Sequence, residues 1–485
     1  MDKVSSATRK TALAVTTLGS FLTSFMGSSI NVALPIIGKE FAIYAIVLSW
    51  IATSYLLSAA MFLVPFGRIA DIYGRKKIFT YGIILYTFSS FLTAIAPSAF
   101  ILILFRVLQG ISGAMIFSTG SAIVISVFPQ QQRGRVLGIN VSAVYIGLST
   151  GPFLGGILTQ HLGWRSIFAI SVILGVAIVI LIYSKLEGEW VEADGETFDF
   201  TGSLIYAIAL TMLMFGFSSL PSVFGTIMIM GGIGCILLFI KWEINTRHPI
   251  LDMNLFRNNT VFTFSNFAAL INYSATFAVT FIVSLYLQYI KGISPQSAGI
   301  ILISQPVTMA LFSPIAGRMS DKIQPQIIAS SGMAFTTIGL LLLIFLHLHT
   351  SLLFIITCLI FIGFGIALFS SPNTNAVMSS VHKKYYGVAS GTLGTMRLTG
   401  QAFSMGIVTL ILALHMGRVQ ITPLYFDRFL QSSKTAFIIF TLLCFGGIYA
   451  SWHGVNYIDR YFNWCYDRCS SYDTNISIFF RCHLG

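Results

Sequence analysis

Long apolar stretches separated by short charged clusters follow one another along most of the chain. Stretches without Asp, Glu, Lys or Arg cover residues 11–38, 41–67, 78–105, 107–132, 136–164, 166–184, 200–240, 258–290, 292–317, 323–382, 398–417 and 435–458. A helix that crosses a bilayer needs about 20 such residues. The two longest stretches can each hold two helices, with breaks at Leu220-Pro221-Ser222 and near His347, His349 and Thr350. The pattern therefore predicts an all-α integral membrane protein with fourteen spanning helices.

The placement of the basic residues supports an even number of spans. With the N-terminus inside, the inner segments carry 20 of the 28 Lys and Arg residues and the outer segments carry six. Arg106 and Arg397 fall within or at the edges of helices. Cytoplasmic loops are enriched in Lys and Arg, so we expect a multi-pass protein of the cell membrane with both termini in the cytoplasm. The first stretch is longer than the apolar core of about 7–15 residues in a signal peptide, so it should be retained as a helix.

Composition agrees with this class and excludes others. Only 9% of the 485 residues are charged and the mean hydropathy is +0.84, whereas soluble proteins carry about 25% charged residues. The net charge of +12 comes from loop clusters and not from a basic stripe, so we expect no nucleic-acid partner. The irregular spacing of Cys465, Cys469 and Cys482 does not indicate a zinc site, and we expect no metal and no cofactor.

Two similar segments indicate an internal repeat. Gly67, Arg68 and Asp71 close the second span, and Gly317, Arg318 and Asp321 close the tenth. These positions become equivalent if the seventh and eighth spans are set aside, which indicates two parallel six-helix halves and an inserted pair. The predicted organisation is a first half at 1–184, an acidic linker at 185–199, an inserted pair with its loop at 200–257, a second half at 258–458 and a cytoplasmic tail at 459–485. We expect the linker to be solvated.

Four stretches carry a resemblance to a known family. They lie at 67–77 after span two, at 106–113 in span four, at 147–156 in span five, and along the second half at 248–257, 363–375 and 389–401. On these stretches the chain resembles the major facilitator superfamily, in its fourteen-helix drug/proton antiporter branch, up to about residue 455. The resemblance implies a multidrug-type exporter of lipophilic or amphipathic small molecules that works by alternating access, in exchange for protons, and as a monomer.

The resemblance also implies roles for individual residues. In the family the loop after span two is a conformational latch, and its residues here are Gly67, Arg68, Asp71, Gly74, Arg75 and Lys76, with Gly317, Arg318 and Asp321 as the second copy. Asp71 beside Arg68 and Arg75 is expected to form a charge cluster that locks the two halves on the inner side. Span five carries the antiporter signature, where a bend and close packing are expected: Gly147, Gly151, Pro152, Gly155 and Gly156.

Arg106 in span four is the candidate coupling residue. With Gln109 and Gly110 it resembles the family segment that takes part in proton transfer or substrate contact. A charged residue inside the hydrocarbon costs about 2.5–3.5 kcal/mol on insertion scales, so it persists only with a use or a partner. Arg106 lies about 10 Å below the outer start of its span, so snorkelling to the interface is the alternative.

In span one the sequence departs from the family, because Met26 stands where the branch normally has an aspartate. No acidic residue lies in the middle of a predicted span. Two alternatives follow. Protons are exchanged through Asp71, Glu40 or the substrate itself, or the protein carries neutral or anionic amphiphiles with Arg106 as counter-ion.

Several polar residues could line a central cavity: Asn31, Tyr55, Asn140, Asn272, Gln305, Asn373 and Gln401. Hydrogen bonding between helices, worth about 0.6 kcal/mol each, explains them equally well. An enzyme is not expected, because no cluster of His, Asp and Glu occurs at membrane depth. A transport-inactive membrane sensor stays as an alternative.

Overall fold

A computed structural model describes residues 5–193, 195–246, 249–251, 253–320, 322–381, 386–417 and 419–470, and in these ranges the regular structure is entirely helical. The first half has six helices: α1 Ser6–Glu40, α2 Ala45–Tyr73, α3 Arg75–Ala94, α4 Ala99–Val127, α5 Gln130–His161 and α6 Arg165–Lys185. The side chains of Ser5 and Ser98 cap α1 and α4 by accepting backbone N–H groups of the first turn. Gly74, with φ of +116°, makes the sharp turn between α2 and α3.

A hairpin of two helices follows the linker. Its members are α7 Phe200–Ser219 and α8 Val223–Asn245, and its turn lies at the predicted Leu220-Pro221-Ser222. The Asp199 side chain caps α7 by accepting the N–H of Gly202 at 2.9 Å. Ser222 caps α8 in the same way.

The second half repeats the six-helix plan. Its elements are α9 Met253–Asn258, α10 Thr260–Leu285 with a π-helical turn at Tyr286–Ile290, α11 Pro295–Leu302, α12 Ser304–Ser320, α13 Pro325–Leu343, α14 Leu352–Ser379, α15 Tyr386–His415, a 3-10 turn at Pro423–Tyr425 and α16 Phe426–Ser470. The short α9 leads into α10, and α11 and α12 together form one span. The break between α13 and α14 contains His347, as predicted.

Thirteen helical segments of the described chain are long and apolar enough to cross a membrane. The fourteenth span is α3, whose first turn holds Arg75, Lys76 and Lys77. The predicted fold class is therefore confirmed. Large apolar side chains such as Phe100, Ile173 and Leu353 are more than two-thirds exposed on the outside, where lipid is their solvent.

Two arginines lie inside helices and not at their ends. The chain turns at Ile95–Ser98, so Arg106 lies seven residues after the first residue of α4. Similarly, α15 begins at Tyr386 and contains Arg397 well inside its length. A charge does not end a membrane helix when neighbouring helices supply hydrogen-bond acceptors for it.

Packing shows the internal repeat directly. In the first half α1 packs on α5, α2 on α4, and α3 on α6. The second half repeats these contacts as α10 on α15, α12 on α14, and α13 on α16. The halves meet where α2 packs on α15 and, symmetrically, where α5 packs on α11 and α12. Two similar bundles that meet in this way can rock against each other about a site between them.

The inserted pair covers one of these two seams. α7 packs on both α2 and α15. The ring of Phe215 lies 4.9 Å from that of Trp50 on α2, and the hydroxyl of Tyr206 lies 3.3 Å from that of Thr399 on α15. α8 lies outside α7 and presents exposed apolar side chains such as Met230 and Leu237. The pair is thus a lateral cover on the α2–α15 seam.

Candidate functional site

The two ends of the bundle differ in charge. We call the end that carries the 67–77 loop the basic end and the other the opposite end. The ion pairs that the described chain shows lie at these ends: Arg68–Glu196, Arg75–Asp71 and Arg75–Glu192 at the basic end, and Arg165–Glu40 at the opposite end.

The acidic linker binds to the 67–77 loop. The carboxylate of Glu189 accepts the backbone N–H groups of Lys76 at 2.8 Å and Lys77 at 3.2 Å, at the start of α3. A carboxylate there satisfies free N–H groups and complements the helix dipole. The backbone of Trp190 accepts the N–H of Arg75 at 3.0 Å. The linker therefore does more than join two domains, because it is held against α3 by backbone and side-chain contacts.

Arg75 is the centre of this contact. It donates to the carboxylate of Asp71 at 2.7 Å, to Glu192 at 2.8 Å and to the hydroxyl of Ser126 at 2.6 Å. Its side chain is only 8% exposed. The carbonyl of Asp71 also accepts the N–H groups of Glu192 and Ala193, at 3.1 and 3.0 Å. One guanidinium thus joins α2, α3, α4 and the linker.

The predicted latch cluster is assembled differently from the expectation. Asp71 pairs with Arg75 as expected, but Arg68 pairs with Glu196 of the linker. These partners lie in the first half and in the linker, not across the two halves. Two linker carboxylates, Glu196 and Glu192, bind the guanidinium groups of Arg68 and Arg75, while a third, that of Glu189, binds backbone N–H groups of α3. Of the second copy, Gly317 packs close to Ser371 on α14 and Arg318 is exposed, while Asp321 lies outside the described residues.

Arg106 is buried in the first half, with 1% of its surface exposed. Its Nε donates to the carbonyl of Ile51 at 3.1 Å, and its Nη1 donates to Oε1 of Gln109 at 2.6 Å. The guanidinium carbon lies 4.5 Å from the centre of the Tyr55 ring. No carboxylate is among these partners in the described chain. The side chain is satisfied inside the bundle, so snorkelling is not how it is accommodated.

Two buried tyrosine side chains lie near Arg106. Tyr55 and Tyr86 are 5% and 0% exposed, and neither Oη has a hydrogen-bond partner among the described residues. Buried hydroxyls are rarely left unpaired, so such atoms mark a place for water or a ligand. Close packing of α4 on α2 holds the cluster, because a Cβ on Gly110 would lie 1.9 Å from the Oγ of Ser58.

The glycines of the antiporter signature place α5 directly on α1. A Cβ on Gly151 would lie 1.8 Å from the Oγ of Ser28, and one on Gly155 would lie 2.9 Å from the Cβ of Ser29. The Oγ of Ser29 donates to the carbonyl of Gly151 at 3.0 Å. Gly147 likewise approaches the α1 backbone, at Phe21. Three of the four glycines are therefore needed for contact with α1.

The other residues of this signature face the second half. A Cβ on Gly156 would lie 2.6 Å from the carbonyl of Pro295, and a Cβ on Gly299 would lie 2.1 Å from the carbonyl of Pro152. α5 runs as one helix through Pro152. The signature thus serves two contacts, one within the first half and one between the halves.

Arg397 is a second guanidinium at membrane depth, about 16 Å from the first residue of α15. Its Nη2 donates to the hydroxyl of Thr374 on α14 at 2.6 Å, and it lies 5.7 Å from the centre of the Tyr273 ring on α10. The side chain is half-buried. Arg397 is not among the site residues that the sequence predicts, because it stands at the edge of a charge-free run. The sequence signal that points to it is its place in the 389–401 stretch, which carries part of the family resemblance.

The predicted cavity residues are mostly enclosed. Asn31, Tyr55, Asn140, Asn272, Gln305 and Asn373 are all less than 9% exposed, whereas Gln401 is half-buried. Gln305 accepts a hydrogen bond from Thr280 at 3.3 Å, which fits the helix-packing alternative. Both side-chain polar atoms of Asn272 and the Nδ2 of Asn373 lack partners among the described residues. These two amides, like the tyrosines beside Arg106, have capacity left for a ligand.

Hydrogen bonds between the halves concentrate toward the opposite end. The Ser284 hydroxyl donates to the carbonyl of Asn31 at 2.6 Å, and Gln288 donates to the carbonyl of Val32 at 2.9 Å. At the end itself, Gln420 donates to the carbonyl of Ala42 at 2.8 Å. The two halves are therefore in direct, hydrogen-bonded contact at the opposite end.

The carboxylates proposed for proton exchange sit at the two ends. Glu40 binds Arg165 at 2.7 Å and Trp164 at 2.6 Å, and Asp71 binds Arg75. One more acidic residue, Glu243, is 2% exposed at the basic end of α8, where it accepts the N–H of Leu251 at 3.0 Å. Its burial is not evident from the sequence, because it depends on Leu251, in the turn before α9, lying against the carboxylate in the fold.

A sequence profile described as Major Facilitator Superfamily matches residues 16–405 and 265–455. The chain belongs to this superfamily. Among curated relatives, the riboflavin transporter RibZ of Clostridioides difficile (strain 630) is 29% identical over 90% of this chain and 95% of its own length. The multidrug resistance protein Stp of Mycobacterium tuberculosis (strain CDC 1551 / Oshkosh) is 30% identical over 84% of this chain and 76% of its own length. The multidrug transporter protein MdtP of Bacillus subtilis (strain 168) is 29% identical over 83% and 75%.

Solved structures of the superfamily share the fold of this major facilitator protein. A bacterial homolog of the human lysosomal transporter Spinster, in an inward-facing and occupied conformation, aligns with a TM-score of 0.64 at 15% identity, over 93% of this chain and 98% of that one. A peptide transporter POT, in complex with alafosfalin, aligns with a TM-score of 0.66 at 13% identity, over 89% and 93%. These structures show the fold, whereas the family profile and the curated relatives show that the protein is a membrane-embedded transporter of the major facilitator type.

Proposed function

We propose that this major facilitator protein exports amphipathic small molecules that are neutral or anionic, by alternating access across the cell membrane. The observation that carries the proposal is Arg106, a buried guanidinium whose described partners are all uncharged. A permanent positive charge in a low-dielectric site attracts electron-rich and anionic groups and repels cations. The hydroxyls of Tyr55 and Tyr86 are the nearest groups that could bind a substrate beside it.

The relatives support this breadth of substrate. Two are named for multidrug transport or resistance and one for transport of riboflavin, a flat aromatic compound with a polar side chain. An amphipathic aromatic compound would suit a site in which tyrosine rings lie beside a guanidinium.

Orientation and conformation follow from charge and contacts. The basic end would be cytoplasmic by the positive-inside rule, with both termini on that side. The opposite end, where the halves are hydrogen-bonded to each other, would then be the outer gate, and this gate is closed in the structure. The 67–77 loop with its bound linker would act as a latch on the cytoplasmic side, and a monomer would suffice, since each polypeptide contains both halves.

Proton exchange is the second candidate and is favoured by the resemblance to drug/proton antiporters. Glu40 and Asp71 are the carboxylates that the sequence predicts for it, and both are held in ion pairs at the ends of spans. Coupling through them would require these pairs to break during the cycle. Coupling through the substrate's own proton requires no such step.

The test compares two dyes with the same ring system and opposite charge. Purified protein in lipid vesicles is assayed for transport of fluorescein, a weak-acid anion, and rhodamine 123, a lipophilic cation, with a proton gradient and after its collapse. We expect transport of fluorescein, and loss of that transport in Arg106→Gln. Gradient-driven transport of rhodamine 123 alone would overturn the proposal and favour a cation/proton antiporter. Transport of neither dye would favour a sensor.

A further inference from the structure

We infer that Arg397 and the polar groups around it form a binding site for the anionic group of an organic substrate, at the surface where the two halves meet. The inference rests on the proposed function, because it names a substrate contact within the same transport path. It adds a site in the second half, separate from Arg106.

The side chain of Arg397 points into the space between helices and not toward the lipid. α15 carries it, but both of its contacts lie on other helices, Thr374 on α14 and Tyr273 on α10. α10 is also the helix that meets α1 of the first half. The guanidinium is therefore inside the second bundle and close to the first.

A polar cluster links this arginine to the first half. The Oγ of Ser370, one helical turn before Thr374, lies 3.4 Å from the hydroxyl of Tyr273 and 3.4 Å from the hydroxyl of Tyr145 on α5. Both distances are long for hydrogen bonds between hydroxyl groups, so these hydroxyls keep the capacity to donate to an acceptor that lies beside them. Tyr145 comes from the other half, so a ligand held here would contact both halves at once.

The positive charge of Arg397 indicates that the ligand carries an anionic group. The described contacts of the guanidinium are the hydroxyl of Thr374 and the ring of Tyr273, and they include no carboxylate. Arginine has five N–H donors in a planar fork, and among the described residues Arg397 makes one N–H···O contact, to Thr374. The remaining donors match a carboxylate or a phosphate, which a guanidinium binds through two parallel hydrogen bonds. Because the side chain is half-buried and not enclosed, a ligand can reach it.

Arg397 and Arg106 differ in a way that assigns them different roles. Arg106 is 1% exposed and already donates to two oxygens. Arg397 is more open and donates to one hydroxyl. We therefore assign the direct contact with a substrate anion to Arg397, while Arg106 supplies positive potential from within the first half.

Binding of the same two dyes to the purified, full-length protein tests this site. Fluorescence polarisation gives the affinity for fluorescein and for rhodamine 123. Arg397→Gln should weaken fluorescein binding at least about tenfold, which corresponds to about 1.4 kcal/mol, and should leave rhodamine 123 binding unchanged or stronger. Arg397→Lys keeps the charge but loses the fork, so an intermediate affinity is expected.

Arg428→Gln is the matched control. Arg428 also lies over a tyrosine ring, at 5.4 Å from the centre of Tyr425, but at the opposite end of the bundle. The Arg428→Gln variant should bind both dyes with the affinity of the unmodified protein.

If Arg397→Gln weakens the binding of both dyes equally, Arg397 has a structural role and the inference is overturned. Fluorescein binding that is unchanged in Arg397→Gln would also overturn it. So would an unmodified protein that does not bind fluorescein. Binding is measured without transport, so the two proposals fail separately. If fluorescein binding depends on Arg397 but vesicles do not transport the dye, the site stands and the proposed function fails.

Discussion

The carboxylate of Glu192 lies 2.8 Å from the guanidinium of Arg75, and this contact joins the linker between the halves to the loop between α2 and α3. Arg75 is at the same time 2.7 Å from Asp71. One buried guanidinium thus binds two carboxylates from parts of the chain about 120 residues apart. A movement of the linker would therefore be transmitted to the proposed latch.

Breaking this contact should slow transport without unfolding the protein. Glu192→Gln removes one negative charge from Arg75, whereas Asp71→Asn removes the other, and both leave the helices intact. We expect a slower turnover in both variants, by about tenfold or less, because a contact of this partly exposed kind is worth about 1 kcal/mol. Initial rates of dye transport in vesicles measure this.

Glu187→Gln provides the comparison, since Glu187 is an exposed linker residue that precedes the contact. Its rate should match that of the unmodified protein. Normal rates in Asp71→Asn and Glu192→Gln would remove the basis for a latch at this loop.

The close approach of α5 to α1 should be sensitive to a single methyl group. Gly151→Ala places a Cβ 1.8 Å from the Oγ of Ser28, so the helices must separate. Overpacking of this kind costs about 1–3 kcal/mol. We expect a lower melting temperature in detergent, and partial recovery in the double variant Gly151→Ala/Ser28→Ala, which removes the nearest atom.

Gly138→Ala is the control on the same helix, because no atom lies within 4 Å of its Cβ position. It should leave the melting temperature unchanged or raise it slightly, as alanine favours the helix. If Gly151→Ala melts at the temperature of the unmodified protein, α5 and α1 are not packed as described.

The sequence predicts the spans well because charge is expensive in hydrocarbon. Absence of charge located fourteen spans, and the turn at Pro221 was found from the same pattern. Arg106 was identified because it interrupts such a run. The sequence does not predict Arg397 as a site residue, for a related reason. The charge-free run begins at residue 398, so the pattern does not indicate the part of α15 that precedes it.

Contacts between distant segments could not be predicted in this way. The acidic composition of residues 185–199 is the same whether they are solvated or bound, and only the fold brings Glu189 to the start of α3. The same holds for Ser370, which lies beside Tyr145 only because two helices from different halves meet.

Removal of the Tyr86 hydroxyl, which lies near Arg106, should change substrate binding more than the stability of the fold. Tyr86 is fully buried and its Oη has no protein partner in the described chain, so Tyr86→Phe loses no internal hydrogen bond. We expect an unchanged or higher melting temperature. If the hydroxyl contacts substrate, KM should rise about twofold to tenfold, the equivalent of one hydrogen bond.

Transport kinetics over a range of fluorescein concentrations measure KM and kcat for Tyr86→Phe. An unchanged KM together with an unchanged melting temperature would place substrate binding away from this cluster. A large fall in melting temperature would show that the hydroxyl has a structural role instead.

Alternating access requires the two halves to move relative to each other, and a reversible cross-link between them tests this requirement. The hydroxyls of Ser49 on α2 and Thr409 on α15 lie 2.9 Å apart toward the opposite end, so cysteines at these positions are close enough to form a disulfide. The measurement is dye transport in vesicles by Ser49→Cys/Thr409→Cys, in a background without the six native cysteines, before and after reduction. We predict that transport stops when the disulfide forms and returns when it is reduced. Undiminished transport through a protein shown to be fully cross-linked would mean that the halves do not alternate by separating at this seam.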